Sequence, residues 1–254
     1  MIVSTEICFI CGRLSHFQFP DNFLLLREAV CSNCRSSIRS SDITKIIIKT
    51  LLGYERSLLE VREFLKKYKI LEAASYGGIN NSLKGSPNYT YSEYFDNIPN
   101  GHIHKGILCV DLQNILFADE TFDLIITQDV FEHIKNKDAA FGEVKRVLRK
   151  GGYHIFTVPV HENKKTSSRD NLPPVYHGDP LRDGVLVYTD FGNDLCEILN
   201  EQYMMPTKQI MVHKFYEKHE ISDVDKDYND YLQKKDRLLE FFKYNSLVFV
   251  SKKV

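Results

Sequence analysis

The chain lacks any excess of charge: across 254 residues, 33 basic and 34 acidic side chains leave a formal net charge of −1. Such a chain has no global field to gather a phosphate backbone, so an extended nucleic-acid footprint is not expected and only a local patch could serve one. Long apolar runs are missing too. No stretch approaches the roughly 18 residues that a membrane-spanning helix needs. The opening Met1-Ile-Val-Ser-Thr-Glu6 has neither the basic start nor the apolar core of an export signal. Internal repeats and low-complexity segments are absent, and no G-x-G-x-x-G run marks a dinucleotide site. Cysteine is sparse, with six in the whole chain.

Four of the six cysteines fall within the first 34 residues, as Cys8-x2-Cys11 and, nineteen residues on, Cys31-x2-Cys34. Each pair puts two thiolates on one tight turn, and two such turns close a tetrahedron around Zn²⁺. Gly12 follows the first pair, where the turn favours positive φ. A disulfide arrangement would need an oxidising compartment, which nothing else in the chain suggests. The expectation is a structural zinc knuckle or ribbon bound by Cys8, Cys11, Cys31 and Cys34, closed to chemistry and located in the cytoplasm. His16 is a spare nitrogen nearby, read as a solvated loop residue. Cys109 and Cys196 are left over, and Cys109 reads as packing in a buried strand.

Organisation follows from this. Residues 1–38 form the zinc module, which is too short to bury much core without its metal. Residues 39–68 read as a helical connector. Ser41-Asp42 offers an N-cap and Gly53 a stop, and a second helix runs from Ser57 to about Lys67. Arg35, Arg39, Lys45 and Lys49 read as a solvated basic helix face. From residue 69 to 254, strands alternate with helices: 70–73, 89–92, 106–110, 122–127 and 153–158 are apolar runs. A helix capped by Asp138 precedes the fifth, and Thr189-Asp190 opens another. A strand near 208–214, a helix carrying Tyr228 to Phe242, and a strand at 246–251 close the chain. Such alternation builds a mostly parallel sheet with helices on both faces.

In an open α/β sheet, ligands bind beyond the carboxyl ends of the strands at the switch point. The first strand there ends at Glu72 and enters Ala73-Ala-Ser-Tyr-Gly-Gly78; the second ends at Ser92-Glu93, where a carboxylate can accept from ribose hydroxyls. From Asp111-Leu112 the chain reads on through Phe117-Ala-Asp-Glu-Thr-Phe-Asp-Leu-Ile-Ile-Thr-Gln-Asp-Val-Phe-Glu-His133. It continues through Glu143-Val-Lys-Arg-Val-Leu-Arg-Lys-Gly-Gly152 to Thr157-Val-Pro159. These residues resemble class I S-adenosylmethionine-dependent methyltransferases, in the branch whose central motif ends in Glu-His. The cysteine module and Tyr176-His-Gly-Asp-Pro180 resemble a bacterial subgroup. The resemblance implies a Rossmann-like seven-stranded sheet with an antiparallel last strand. It implies S-adenosylmethionine held by Glu72, Ala74 and Gly78 of the glycine loop, Glu93 at the ribose, Asp111 and Leu112 at the adenine, and Gln128 and Asp129 at the methionine end. The loop departs from the family's E-x-G-x-G-x-G: only Gly78 falls on a glycine position, and Tyr76 puts a ring where backbone usually meets ligand.

The resemblance implies methyl transfer, which needs an acceptor held at attack distance and, for a hydroxyl or acidic carbon, a base. Residues 161–188 read as a lid without periodicity, rich in proline and glycine. His161, His177 and Asp179 are its candidate catalytic groups, and His133 is read as structural. The favoured acceptor is a small molecule or glycan intermediate. Two alternatives stand beside it. One is an rRNA or tRNA methyltransferase gripping RNA through Phe9, Arg13, Phe17 and Phe19 of the zinc module, against the acidic Asp21 and Glu28. The other is a non-catalytic partner protein that keeps the fold.

Overall fold

The computed structural model describes residues 2–18, 26–161, 164–179, 181–214 and 245–254. The expected helix from Tyr228 to Phe242 and the side chain of Asp179 lie outside what is described.

The N-terminal unit is a three-stranded antiparallel sheet of β1 (Ile2–Ile7), β2 (Leu14–Gln18) and β3 (Val30–Cys31). Helices α1 (Ile38–Leu52) and α2 (Leu58–Leu65) follow it. The main sheet contains β4 (Ile70–Glu72), β5 (Tyr89–Glu93), β6 (Ile103–His104), β7 (Ile107–Cys109), β8 (Phe122–Gln128) and β9 (Leu148–Thr157). Helix α3 (Gly78–Leu83) links β4 to β5, and α4 (Lys137–Val147) links β8 to β9. Small strands β10 (Val160–His161), β11 (Ser167–Ser168), β12 (Tyr176–Asp179), β13 (Arg182–Leu186) and β14 (Thr189–Gly192) lie in and beside the 161–188 segment that the sequence reads as a lid. Helix α5 (Leu195–Gln202), β15 (Thr207–Lys214) and β16 (Asn245–Lys252) complete the chain.

The order across the main sheet is β15-β16-β9-β8-β4-β5-β7-β6. β7, β5, β4, β8 and β9 are mutually parallel, while β16 runs antiparallel to both β9 and β15. Seven strands carry the expected Rossmann-like topology, and the two-residue β6 adds an antiparallel edge beside β7. Because the chain leaves β4 toward β5 on one side and returns to β8 on the other, the switch point lies at the carboxyl ends of β4, β5 and β8.

Strand β8 shows why its centre, Leu124-Ile-Ile126, is an unbroken apolar run: Leu124 and Ile126 join one core and Ile125 the other. A strand buried on both faces carries no polar alternation. The first core also contains Cys8, Ile10, Phe17, Ala29 and Cys31, together with Ile38, Ile43 and Ile47 of α1. The cysteine module is therefore packed onto one face of the main sheet, with α1 between them.

Four boundaries differ from the sequence reading, the first being β9, which begins at Leu148 and not at 153. Helix α1 starts four residues early, because Ser37 accepts from the Ser40 amide and serves as the N-cap. Ser41 and Asp42 are buried inside its first turns instead. Asn136, not Asp138, caps α4 by accepting from the Ala139 amide. Thr189 and Asp190 belong to β14, which pairs with both β10 and β11; the helix begins only at Leu195.

Candidate functional site

The cysteine cluster is built from two matching turns. Cys8, Cys11, Cys31 and Cys34 bring four Sγ atoms within 4.8 Å of one another, with Cys8–Cys34 at 3.7 Å and Cys11–Cys31 at 3.9 Å. Zn–S bonds of about 2.3 Å around a tetrahedron require edges of about 3.8 Å, so the four residues fit zinc. Amides of Asn33 and Cys34 donate to Cys31 Sγ at 3.4 and 3.5 Å, as turns that present thiolates do. Gly12 takes φ 73° after the first pair and Arg35 takes φ 64° after the second. His16 stands apart on β2, with Nδ1 2.9 Å from Thr5 Oγ1.

At the carboxyl ends of the main strands, the expected cofactor residues gather into linked groups. Glu72 is 1% exposed. Its carboxyl accepts from the Tyr89 hydroxyl and from Gln128 Nε2. Burial pushes it up to about 8 despite both hydrogen bonds, with the charge of Glu93 adding to the rise. Gln128 Oε1 accepts from Ser40 Oγ of α1 at 3.0 Å. Glu93 accepts from the amide and hydroxyl of Ser75 at 2.8 and 3.0 Å, which ties the glycine loop to the end of β5. Asp111 accepts from the amide and side chain of Gln113, and Leu112 is buried beside it. Ala74 is half-buried in the loop.

The loop accommodates its departures from the family pattern. Tyr76 is 44% exposed and is not among the residues with positive φ. Gly77 takes φ 98° and ψ 178°, a conformation open essentially to glycine alone. Gly78 is needed for close packing: a Cβ there would sit 2.2 Å from Ser36 Oγ and 3.1 Å from Ile10 Cγ1. The neighbour pressing on the loop's one matching glycine is thus the cysteine module.

Asp129 sits just past β8 with φ 53°, a left-handed conformation that aspartate tolerates better than most residues. Arg27 grips it with two nitrogens, at 3.2 and 2.6 Å. Arg39 Nη1 lies 3.3 Å away and Thr157 Oγ1 donates at 2.8 Å. Burial opposes ionisation, but the two guanidiniums outweigh it and hold the carboxyl well below the usual range. Arg39 also pairs with Glu28 at 2.6 Å and lies within electrostatic range of Tyr76. The reading of Arg39 as a solvated face is corrected here: its side chain is 18% exposed and turned inward, whereas Lys45 and Lys49 pair with Glu55 at the surface. Arg27, 102 residues from Asp129, carried no sequence signal at all.

The lid is more ordered than its composition suggests. β12 and β13 form a hairpin whose register shifts between His177 and Asp179, and that shift erases any period-two pattern. His177 points inward, its Nδ1 3.8 Å from Glu132 Oε1 and its ring edge-on to His133 at 5.0 Å. Burial and the neighbouring His133 pull His177 down to about 4. His161 lies instead beside Asp190 at 3.6 Å, where Arg169 also pairs with that aspartate. Burial lowers His161 against the pull of Asp190. His161 and His177 thus belong to separate polar groups. Glu132, which the sequence reading left unassigned, is 1% exposed, and burial together with Asp129 raises its carboxyl well above the usual range.

No curated protein matches the chain. Among solved structures, an S-adenosylmethionine-dependent methyltransferase from Mesorhizobium loti aligns at 11% identity and TM-score 0.42, over 74% of this chain and 91% of that one. A 1,6-didemethyltoxoflavin-N1-methyltransferase from Burkholderia thailandensis, with S-adenosylhomocysteine bound, aligns at 11% identity and TM-score 0.40, over 85% and 87%. The YcgJ protein of Bacillus subtilis aligns at 12% identity and TM-score 0.41, over 77% and 99%. Residues 89–156, from β5 through most of β9, match the family described as a methyltransferase domain, and the sheet order around them is Rossmann-like.

Proposed function

We propose that the protein transfers a methyl group from S-adenosylmethionine to a small-molecule or glycan-intermediate acceptor. The observation that carries this reading is the placement of Glu72, Glu93, Asp111, Gln128 and Asp129 at the carboxyl ends of β4, β5, β7 and β8, within and beside the methyltransferase-domain match. Bound there, the cofactor would supply an electrophilic methyl on a sulfonium. Glu93 would accept from the ribose, exchanging part of its Ser75 contact. Asp111 and Leu112 would meet the adenine. Glu72 and Gln128 offer oxygen acceptors to the methionine ammonium. Ala74 and Gly78 would line the approach of the loop backbone. His161, His177 and Asp179 are proposed to orient or deprotonate the acceptor.

In this reading residues 1–38 are a zinc-bearing module, 39–68 a helical connector and 69–254 the catalytic domain with its lid at 161–188. Zinc at the four cysteines would fix the turns that carry Ser36 against Gly78 and brace the approach of Arg27 to Asp129. An RNA-gripping role for the module has little support. Phe17 is buried and offers no face for base stacking, and one face of Phe9 is taken by the Lys45 ammonium, 5.0 Å from its ring centre. Phe19 and Asp21 lie outside the described residues. Among those residues no helix is long and apolar enough to cross a membrane.

One observation favours a second reading, a non-catalytic partner protein: the module packs on Gly78, and both oxygens of Asp129 already have partners. Calorimetry with S-adenosylmethionine separates the two. The wild type should bind, and Glu93→Ala should weaken binding by about ten- to a hundredfold, the loss of a charged hydrogen-bond acceptor worth roughly 1.5–3 kcal/mol. No binding by the wild type at millimolar ligand would remove the enzymatic reading and leave the second.

A further inference from the structure

We propose that Glu132, His133 and His177 form a metal centre for a divalent transition cation, separate from the four cysteines. The short 3-10 helix Phe131–His133 follows β8 and supplies two of the ligands. The β12–β13 hairpin of the lid supplies the third.

Distance is the first argument. Glu132 Oε1 lies 3.7 Å from His133 Nε2 and 3.8 Å from His177 Nδ1. Hydrogen bonds between such groups span about 2.7–3.2 Å, so these contacts are too long to be hydrogen bonds. They suit atoms that share a central ion: bonds of about 2.0–2.2 Å to nitrogen and carboxylate oxygen give ligand–ligand edges of about 3.4 Å in a tetrahedron. All three groups can present ligand atoms within 4.8 Å of one another, so small rotations close the set.

The state of the carboxylate is the second argument. Both oxygens of Glu132 are buried and neither has a hydrogen-bond partner. An unpaired carboxylate in such a place is strongly disfavoured. The neighbouring charges do not neutralise it. Arg27 and Arg39 are matched by Asp129 and Glu28 through their ion pairs, two positive against two negative. A divalent cation supplies the missing charge at the point where both imidazoles converge.

Orientation is the third. His133 Nδ1 lies 2.9 Å from the Leu186 carbonyl oxygen, to which only an N–H can donate. That fixes the tautomer and leaves the Nε2 lone pair facing Glu132, the arrangement that orients metal-bound histidines. The Glu132 carbonyl accepts from the Tyr188 amide at 2.7 Å, so the link between β13 and β14 is pinned to the same turn. Two imidazoles and one carboxylate suit zinc, iron or cobalt better than magnesium or calcium. Three protein ligands leave a coordination position for water or for an oxygen of a bound molecule, beside the lid.

The proposal does not depend on methyl transfer, and its test uses no cofactor. Full-length protein brought to a single zinc equivalent per chain, which fills the four-cysteine site and leaves the second centre empty, is titrated with Co²⁺ by calorimetry and visible absorption. The wild type should take up one further equivalent, with ligand-field bands but no thiolate charge transfer. His177→Ala, at a partly exposed hairpin position, and Glu132→Gln should both abolish that uptake while retaining the zinc. Absence of extra uptake by wild type would overturn the proposal. So would equal uptake by wild type and both variants. A Glu132→Gln variant that is more stable than wild type in metal-free buffer, with no cobalt bound by either, would assign the site to a protonated carboxyl instead.

Discussion

His213 on β15 should make the protein lose stability as the solution becomes alkaline. Its Nδ1 lies 2.6 Å from Asp42 of α1 and its Nε2 2.8 Å from Glu6 of β1, so one imidazolium clamps the N-terminal unit to the sheet's edge hairpin. Burial pulls this histidine down, but the hydrogen bonds and charges of Asp42 and Glu6 outweigh it and push it up to about 9. A folded-state value above the unfolded value of about 6.5 means that the stabilisation is complete below pH 6.5 and disappears as pH rises through 9. The difference corresponds to about 3 kcal/mol. Asp42 reduces the net: it is buried, and burial raises its carboxyl against the hydrogen bond from His213, which offsets part of the gain. A loss on the order of 2–3 kcal/mol between pH 6.5 and 9.5 is expected. Urea unfolding of zinc-loaded protein at several pH values measures it. His213→Gln, measured in parallel, removes contributions from other groups, including the thiolates, whose metal binding strengthens with pH. A wild-type-minus-variant difference that stays flat from pH 6.5 to 9.5, or grows, would refute the reasoning.

Three further outcomes are expected. Protein purified without added metal should contain zinc lost on Cys31→Ser, as read by elemental analysis; four freely titratable thiols in the native wild type would contradict this. Affinity for S-adenosylmethionine should pass through a maximum near pH 8, because Glu72, pushed up to about 8 by burial, must ionise while the methionine ammonium keeps its proton; Glu72→Gln should remove the rising limb of the calorimetric profile. Once an acceptor is known, His161→Ala and His177→Ala should lower turnover while cofactor affinity stays nearly unchanged; wild-type rates in both would make them bystanders.

Much of the main sheet was legible because buried parallel strands are apolar throughout. The expected runs at 70–73, 122–127 and 153–158 fall on β4, β8 and the second half of β9 for that reason, whereas the exposed Arg149-Lys-Gly151 stretch of β9 gave no such signal. The cysteine turns were legible because their spacing is local. The start of α1 was misjudged because Ser37, Ser40 and Ser41 are all plausible caps, and only tertiary contact decides among them. Ser40 is engaged by Gln128, and Ser41 Oγ accepts from the Phe9 amide at 2.9 Å. The Arg27–Asp129 pair was invisible, since two residues 102 positions apart announce nothing to each other in one sequence. Glu132 was seen only as part of a Glu-His motif, because burial of a carboxylate after a strand leaves no periodic trace.

The glycine loop shows how a family pattern can be right about position and silent about cause. In the sequence, Gly78 marks the place where backbone meets cofactor, and Tyr76 looks like an obstruction. In the fold, the φ of 98° falls on Gly77, so Tyr76 is free to keep an ordinary backbone and turn its ring toward solvent. Gly78 is required for a different reason, the 2.2 Å approach that Ser36 Oγ would make to any Cβ placed there. Two consequences separate. A side chain at 78 should disturb the seating of the cysteine module before it disturbs a ligand. A glycine at 76 should change little in stability, because the tyrosine neither fills the core nor strains the turn. If Gly78→Ala left the module's packing intact while abolishing cofactor binding, the close approach would belong to the ligand and this account of the loop would fail.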